Sequence, residues 1–315
     1  MDAKTPLVEV NCALCESSEK ELVFRTRDGH FLSRCLRCGF QFYSPRPDSQ
    51  RIEAYYHEEA FYEKTNITAV EIVMEILAHH NLRSGKLLDI GCGVGALVAL
   101  AGKKGWDAVG MDPSPKAVEL AKQVLDLDIL QTYLGDTQFE PETFDVVVLL
   151  AVLEHSFDPV SIMKNVWQIL KPGGWVIAST PNLDNLSYHL MKHREEYSWF
   201  IKEHINHFTL KTHRTLLETV GFESPEFHMC GHFGIQKNGE TTKLLPSPTF
   251  PRAVRNMFSE SLDPAAQKLF GKDSANISDS ELIEIMQKQA ELWGLQAGEY
   301  SLSDAVYLSA KKPDR

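Results

Sequence analysis

Two rhythms of apolar residues alternate along the chain. Brief apolar runs at 87–90, 105–112, 129–134, 144–155 and 175–179 read as strands, and the fourth is apolar on both faces, as a central parallel strand must be. Between and around them, apolar residues return every three or four positions. This spacing predicts helices over 66–82, 96–104, 113–124, 158–170 and 209–220, the first with Val70, Val73, Met74 and Leu77 on one face. The ends carry matching signals: Ser84-Gly85 closes the first helix, Pro113 suits a first turn, and Asp158 is a ready N-cap. Strand alternating with helix predicts an α/β domain built on a parallel sheet. Two more strands are expected at 221–228 and 304–311, the last one antiparallel, for seven in all.

The pattern also marks what lies outside that sheet. Asp48 caps an expected helix over 48–59, with Ile52, Tyr55 and Tyr56 on one face. Tyr55, Tyr56, Phe61 and Tyr62 either pack against the main domain or wall a pocket. Some seventy residues before the last strand are surplus to such a sheet. They predict helices over 252–258, 264–269 and 278–293, the last with Ser278 and Glu281 at capping-box spacing, and read as a lid or a dimer surface. The expected organisation is 1–47 as a cysteine module, 48–84 as a helical linker, 85–230 as the core, 231–303 as the insert, and 304–315 as the last strand and tail.

Four cysteines form the pairs Cys12-x-x-Cys15 and Cys35-x-x-Cys38-Gly39. Each pair makes a knuckle that turns two thiolates inward, and Gly39 can adopt the positive φ such a turn wants. Between the knuckles, Leu22-Val-Phe24 and His30-Phe-Leu32 flank Asp28-Gly29, a hairpin signal. This predicts a zinc ribbon with Cys12, Cys15, Cys35 and Cys38 as ligands; two disulfides are the alternative. Four thiolates leave no open position, so the metal is expected to be structural. Phe40 to Pro47, with two prolines, reads as a stiff way out of the ribbon.

Candidate chemistry begins at Leu88-Asp-Ile-Gly-Cys-Gly-Val-Gly95. Strand, glycine turn and helix open a nucleotide-binding sheet, in which glycines let the backbone approach a ligand and the helix N-terminus offers unpaired N–H groups. Asp89 favours a ligand with an ammonium group over a pyrophosphate. Asp112, 21 positions beyond Gly91, ends the next strand, where a carboxylate can accept hydrogen bonds from ribose hydroxyls. Together with Gly135-Asp136, Phe144-Asp-Val-Val147, Val152-Leu-Glu-His155 and Leu170-Lys-Pro-Gly-Gly174, in that order, the chain resembles the class I S-adenosylmethionine (SAM)-dependent methyltransferases. With the cysteine module in front it is similar to their zinc-ribbon-bearing, small-molecule members. The resemblance covers residues 1 to about 230 and implies a Rossmann-like seven-stranded sheet. It implies SAM bound by Asp89, Gly91, Cys92, Gly93, Gly95, Asp112, Asp136 and Ala151, with Asp136 near the adenine. It also implies acceptors such as sugars, lipid-linked sugars or other secondary metabolites, with oxygen favoured over nitrogen or carbon.

The expected acceptor side follows the fifth strand. Ser179-Thr-Pro-Asn182 and Glu203-His-Ile-Asn-His-Phe-Thr209 resemble segments of that same group, and His189, His193, Tyr197, Trp199 and Phe200 lie between. Histidines and aromatics gathered at a ligand edge read as a pocket. His204, His207 and His155 are the candidates for a general base, with His204 first and Glu203 beside it. His204 and His207 could also be a metal pair, but no nearby acid or cysteine completes a set. Cys92 and Cys230 read as small buried fillers more than as nucleophiles.

Composition narrows the classes. With 43% apolar and 24% charged residues the chain is an ordinary globular protein, and its net charge of −11 argues against a general nucleic-acid binder. The longest apolar run, 146–153, is too short to span a bilayer, and Met1-Asp-Ala-Lys-Thr-Pro6 has no apolar signal core, so a cytoplasmic monomer or homodimer is expected. An RNA methyltransferase, a non-catalytic SAM-fold protein and an NAD enzyme are the rival readings. No Asn-Pro-Pro-Tyr-like segment of nucleobase N-methyltransferases follows the fourth strand, and no dehydrogenase dyad is recognisable.

Overall fold

The computed structural model describes residues 7–25, 30–47, 67–136, 139–183, 203–231, 234–237, 240–243 and 305–314. The expected helices at 48–59 and across the insert, the aromatic cluster at 55–62 and His189, His193, Tyr197, Trp199 and Phe200 lie outside these residues, as does the side chain of Cys230. The chain divides into two units, Met1–Pro181 with Ser198–Phe227 and Val306–Arg315, and Asn182–Tyr197 with His228–Ala305.

The first unit holds an N-terminal β-region and most of a larger α/β sheet. Strands β1 (Leu7–Val8), β2 (Lys20–Arg25), β3 (Phe31–Cys35), β4 (Gln41–Tyr43) and β5 (Arg46–Pro47) form the N-terminal region. Here β2, β3 and β4 make an antiparallel sheet, and β1 pairs with β5. Gln41–Tyr43, expected to lead out of the ribbon, is instead its third strand. All three residues are buried, because Phe40 and Phe42 stack at 5.9 Å and need a sheet to lie on.

Helix α1 (Ile67–His79) precedes the main sheet. Then follow β6 (Lys86–Ile90), α2 (Ala96–Lys103), β7 (Asp107–Met111), α3 (Pro115–Leu125), β8 (Phe144–Leu150), α4 (Pro159–Ile169), β9 (Leu170–Pro181), β10 (Asn206–His207), α5 (Leu210–Val220), β11 (Glu223–Gly231) and, at the end, β14 (Ala305–Lys311). The sheet runs in the order β11-β14-β9-β8-β6-β7. Strand pairs β6–β7, β6–β8 and β8–β9 are parallel. At the end of β14, Lys312 exchanges backbone hydrogen bonds with Gly173 and Gly174 near the start of β9, so β14 runs antiparallel, as expected. Val146 to Leu149 of β8 are fully buried, which is why this strand carries no polar face.

Helix boundaries follow the capping residues. Asp158 accepts from the Ser161 N–H, Ser114 from Ala117, and Thr209 and Thr212 form a reciprocal box, while Gly221 (φ 103°) ends α5. Pro115 takes the N1 position that Pro113 was expected to fill, because Ser114 rather than Asp112 is the cap. The expected third strand at 129–134 shrinks to a single parallel bridge between Met111 and Leu130. Asp112 and Leu130 share one hydrogen bond and Leu130 and Gly110 another, after which residues 134–136 turn away. With that bridge at the edge, the seven expected positions are all present. In the second unit the end of β11 pairs antiparallel with β12 (Gly234–Lys237), and β12 with β13 (Glu240–Lys243).

Between β6 and β8 the strand order reverses, since β6 leads outward to β7 on one side and the chain returns to β8 on the other. In open α/β sheets the crevice at such a point, at the carboxyl ends of the strands, holds the ligand.

Candidate active site

Gly91, Gly93 and Gly95 follow β6 with φ of 68°, 53° and 80°, so each occupies the left-handed region that glycine enters without cost. A Cβ on Gly91 would stand 2.8 Å from Val152 Cγ2, and the turn after β6 thus lies directly against the turn after β8. Asp112 ties the loop down: its Oδ2 accepts from the Gly93 N–H at 3.0 Å and its Oδ1 from Ser114 at 2.9 Å. Asp89 and Asp112 are both 3% exposed, at the ends of adjacent strands. Gly110, which the sequence did not single out, sits beneath them; a Cβ there would meet Cys92 Sγ at 2.8 Å and Val98 Cγ2 at 2.9 Å. Burial, reinforced by Asp89 and Asp112, pushes the Cys92 thiol far up, which suits a filler. Ala151 is exposed at the mouth of the crevice with φ 53°, an uncommon angle for a residue with a Cβ. Asp136 is exposed in the turn beyond Leu130.

Burial, with the Asp112 charge as the second cause, pushes the Asp89 carboxyl up to about 8. In the unfolded chain it ionises near pH 4. Between those values the folded protein therefore binds a proton that the unfolded chain does not. The stability this group contributes is whole below about pH 4 and is lost as the pH rises to about 8. A cationic ligand beside Asp89 favours its ionised form. Binding at pH 7 is therefore expected to release a proton, and affinity to rise from pH 6 towards pH 8. Calorimetry in buffers of different ionisation enthalpy measures this directly, and a binding enthalpy independent of buffer would count against Asp89 as the cation's partner.

The turn Leu153–His155 follows β8 and carries the Glu154 carboxyl, 1% exposed and pushed up to about 8 by burial. His155 and His204, 49 positions apart in sequence, meet with ring centroids 4.8 Å apart. Burial lowers the His155 pKa, partly offset by its Nδ1, which donates to the Glu203 carbonyl at 2.9 Å. His207 is also buried, and burial, with His204 beside it, holds its pKa well below the usual value; its ring stands edge-on to Tyr43 at 5.0 Å. The structure thus brings His155 and His204 together and sets His207 on the ribbon side.

Asn206 explains this arrangement, and no local pattern singled it out. Its Nδ2 donates to the carbonyls of Leu153 (3.0 Å) and Ser156 (2.6 Å), clamping the 203–208 segment to the turn that bears Glu154 and His155. The same segment, as β10, pairs antiparallel with β4 and becomes the fourth strand of the ribbon sheet. From β5, the Arg46 guanidinium reaches the Phe157 carbonyl at 3.3 Å and lies over its ring at 4.9 Å. The N-terminal module therefore packs against the segments that carry His155 and His204.

That module's four cysteines converge. Cys12 Sγ lies 3.5 Å from Cys38 Sγ, Cys15 Sγ lies 3.5 Å from Cys35 Sγ, and all four fall within 4.8 Å. Sulfurs bound at about 2.3 Å to one tetrahedral zinc stand about 3.8 Å apart, so the set fits that ion. None is joined in a disulfide, which would need about 2.05 Å. Gly39 (φ 82°) follows the second knuckle as expected, and Glu16 (φ 60°) takes the same place after the first.

The glycine turn, the two strand-end carboxylates and the switch point define a SAM-dependent methyltransferase domain. A family model described as a methyltransferase domain matches residues 56–224, more than half of the chain, and the chain belongs to that family. It is 37% identical over 109 residues to the ubiquinone biosynthesis O-methyltransferase of Aliivibrio fischeri (strain MJ11), a stretch covering 33% of this chain and 47% of that enzyme. It is 35% identical over 123 residues to the mitochondrial enzyme of the same name from Schizosaccharomyces pombe, covering 36% and 45%. The chain spans about half the length of the curated relatives it matches. The crystal structure of a SAM-dependent methyltransferase from Thermotoga maritima aligns with 84% of this chain and 95% of its own, at 17% identity and a TM-score of 0.48. Among the described residues no helix is long and apolar enough to cross a membrane.

With the cofactor class in place, Asp112→Ala is expected to weaken binding of S-adenosylhomocysteine by about 1.5–3 kcal/mol, the scale of a hydrogen bond to a charged group. Wild-type affinity by calorimetry in that variant would remove Asp112 from the site.

Proposed function

We propose that the protein transfers a methyl group from SAM to a hydroxyl of a small molecule, such as a sugar, a lipid-linked sugar or another secondary metabolite. The observation that carries this reading is the meeting of His155 with His204, His155 lying three residues beyond Val152, which abuts the glycine turn at Gly91. SAM supplies a methyl group already activated by its sulfonium charge. The residues Asp89, Asp112 and Gly91 to Gly95 hold and orient it. What remains for the protein is to align the acceptor oxygen and accept its proton. His204 is the first choice for the proton and His155 the second, since a neutral imidazole can accept one near pH 7. Relatives named for O-methylation support oxygen as the acceptor atom. The net charge of −11 weighs against RNA.

The test is a panel of hydroxylated small molecules, including nucleotide-sugars, incubated with the protein and SAM labelled in its methyl group. The expected result is label in at least one hydroxylated product. Label found only in RNA or on nitrogen would overturn the proposal.

A further inference from the structure

We propose that Glu154, His155 and His204 form a second metal site, for one divalent transition-metal ion, distinct from the four-cysteine cluster. One ligand atom from each of the three lies within 4.8 Å of the others. Nitrogens and oxygens bound at about 2.0–2.2 Å to one ion stand at most about 4.3 Å apart, so only a small inward movement is needed.

Three further features support the assignment. The Glu154 side chain is 1% exposed, and its Oε2 has no hydrogen-bond partner among the described residues. A buried carboxylate oxygen without a partner costs free energy that a bound cation would recover. The second feature is the tautomer of His155. A carbonyl can only accept, so Nδ1 must donate to Glu203, and this sets the lone pair of the neutral ring on Nε2. Ligating histidines are oriented in this way, with the other ring nitrogen bonded to a carbonyl or carboxylate. The third is rigidity: Asn206 fastens the segment carrying His204 to the turn carrying Glu154 and His155, so the three donors share one frame.

The donor set decides the kind of ion. Two imidazoles and one carboxylate suit zinc, iron(II), cobalt or nickel better than magnesium or calcium, and three protein ligands leave positions open, unlike the four thiolates. One consequence rests on the methyl-transfer reading above. An acceptor hydroxyl at an open position would have its pKa lowered by the ion, and His155 and His204 would then act as ligands instead of bases. The cluster of His79, His80 and Glu226 is the other mixed set among the described residues, but its His79 is exposed, as loosely placed surface groups are.

The experiment adds cobalt(II) to the full chain already loaded with zinc in its cysteine cluster. The expected result is one cobalt per chain by calorimetry, with weak visible bands and no thiolate-to-cobalt charge-transfer absorption. Glu154→Gln should weaken cobalt binding by more than the roughly 10–100-fold that loss of an outer-shell partner costs. His204→Gln should do the same and carries the test if the first variant does not fold. S-adenosylhomocysteine affinity, measured in parallel, should be unchanged, which shows the crevice intact. Equal cobalt affinity in wild type and variants, or cobalt seen only through thiolate absorption, would overturn the site. Failure of the wild type to bind S-adenosylhomocysteine would instead remove the methyl-transfer reading and leave the metal result standing.

Discussion

His204→Asn is expected to lower kcat by about 10²–10⁴-fold, the loss that follows removal of a general base. Binding of S-adenosylhomocysteine should survive, because Gly93, Asp112 and Ser114 form a network of their own. The pH profile and the response to metal separate the two roles open to this histidine. If His204 takes the proton, the acidic limb of the kcat profile disappears in the variant and added metal restores nothing. If it is a ligand, excess divalent ion restores part of the rate. His207→Asn is the contrasting variant. Its ring packs against Tyr43, so its loss should lower thermal stability more than turnover. Near-normal kcat in His204→Asn, with the acidic limb intact, would remove His204 from the chemistry, and His155 would be next.

A serine at position 35 should strip the cysteine cluster of zinc and abolish turnover while leaving cofactor binding nearly intact. Structural zinc contributes about 10–16 kcal/mol to folding of small zinc modules, far more than so small a core can supply. Cys35 ends β3, whose neighbour β4 is the strand that holds β10. Once the ribbon sheet is lost, the 203–208 segment loses its pairing with β4, and His204 loses part of what fixes its place. Elemental analysis should show one zinc per chain in the wild type and none in Cys35→Ser. Full zinc retention would refute the four-cysteine set. Normal kcat without zinc would refute the coupling of ribbon and acceptor side.

The two halves of the site differed in how legible they were. The cofactor half could be read from sequence because its signals are local. Strand, turn and helix follow one another from Lys86 to Lys103, and backbone sterics tie Gly91, Gly93 and Gly95 to their positive φ wherever that turn forms. The paired cysteines are local in the same sense, since each knuckle spans four residues. Gly110 escaped notice because its constraint comes from Cys92 and Val98, side chains on a different element.

The acceptor half was legible only in its parts. His155 and His204 stood out singly, and Glu203 was the acid beside His204; the acid that shares their place is Glu154, from a turn 50 positions away. The expected strand at 129–134 had the right apolar residues but pairs at Leu130 alone, since a strand at a sheet edge exists only as far as its neighbour offers partners. The sequence by itself determined the alternation of strands and helices in the main sheet, the cap at Asp158, the glycine turn and the two cysteine knuckles, because each depends on dihedral preferences and hydrogen bonds within a few residues. Tertiary structure alone decided that Asn206–His207 would join the ribbon sheet, that Asn206 would fasten it to the turn after β8, and that Glu154, His155 and His204 would share one place. Those contacts join segments 49 and more positions apart, and their geometry is set by how the elements pack, which no local pattern encodes.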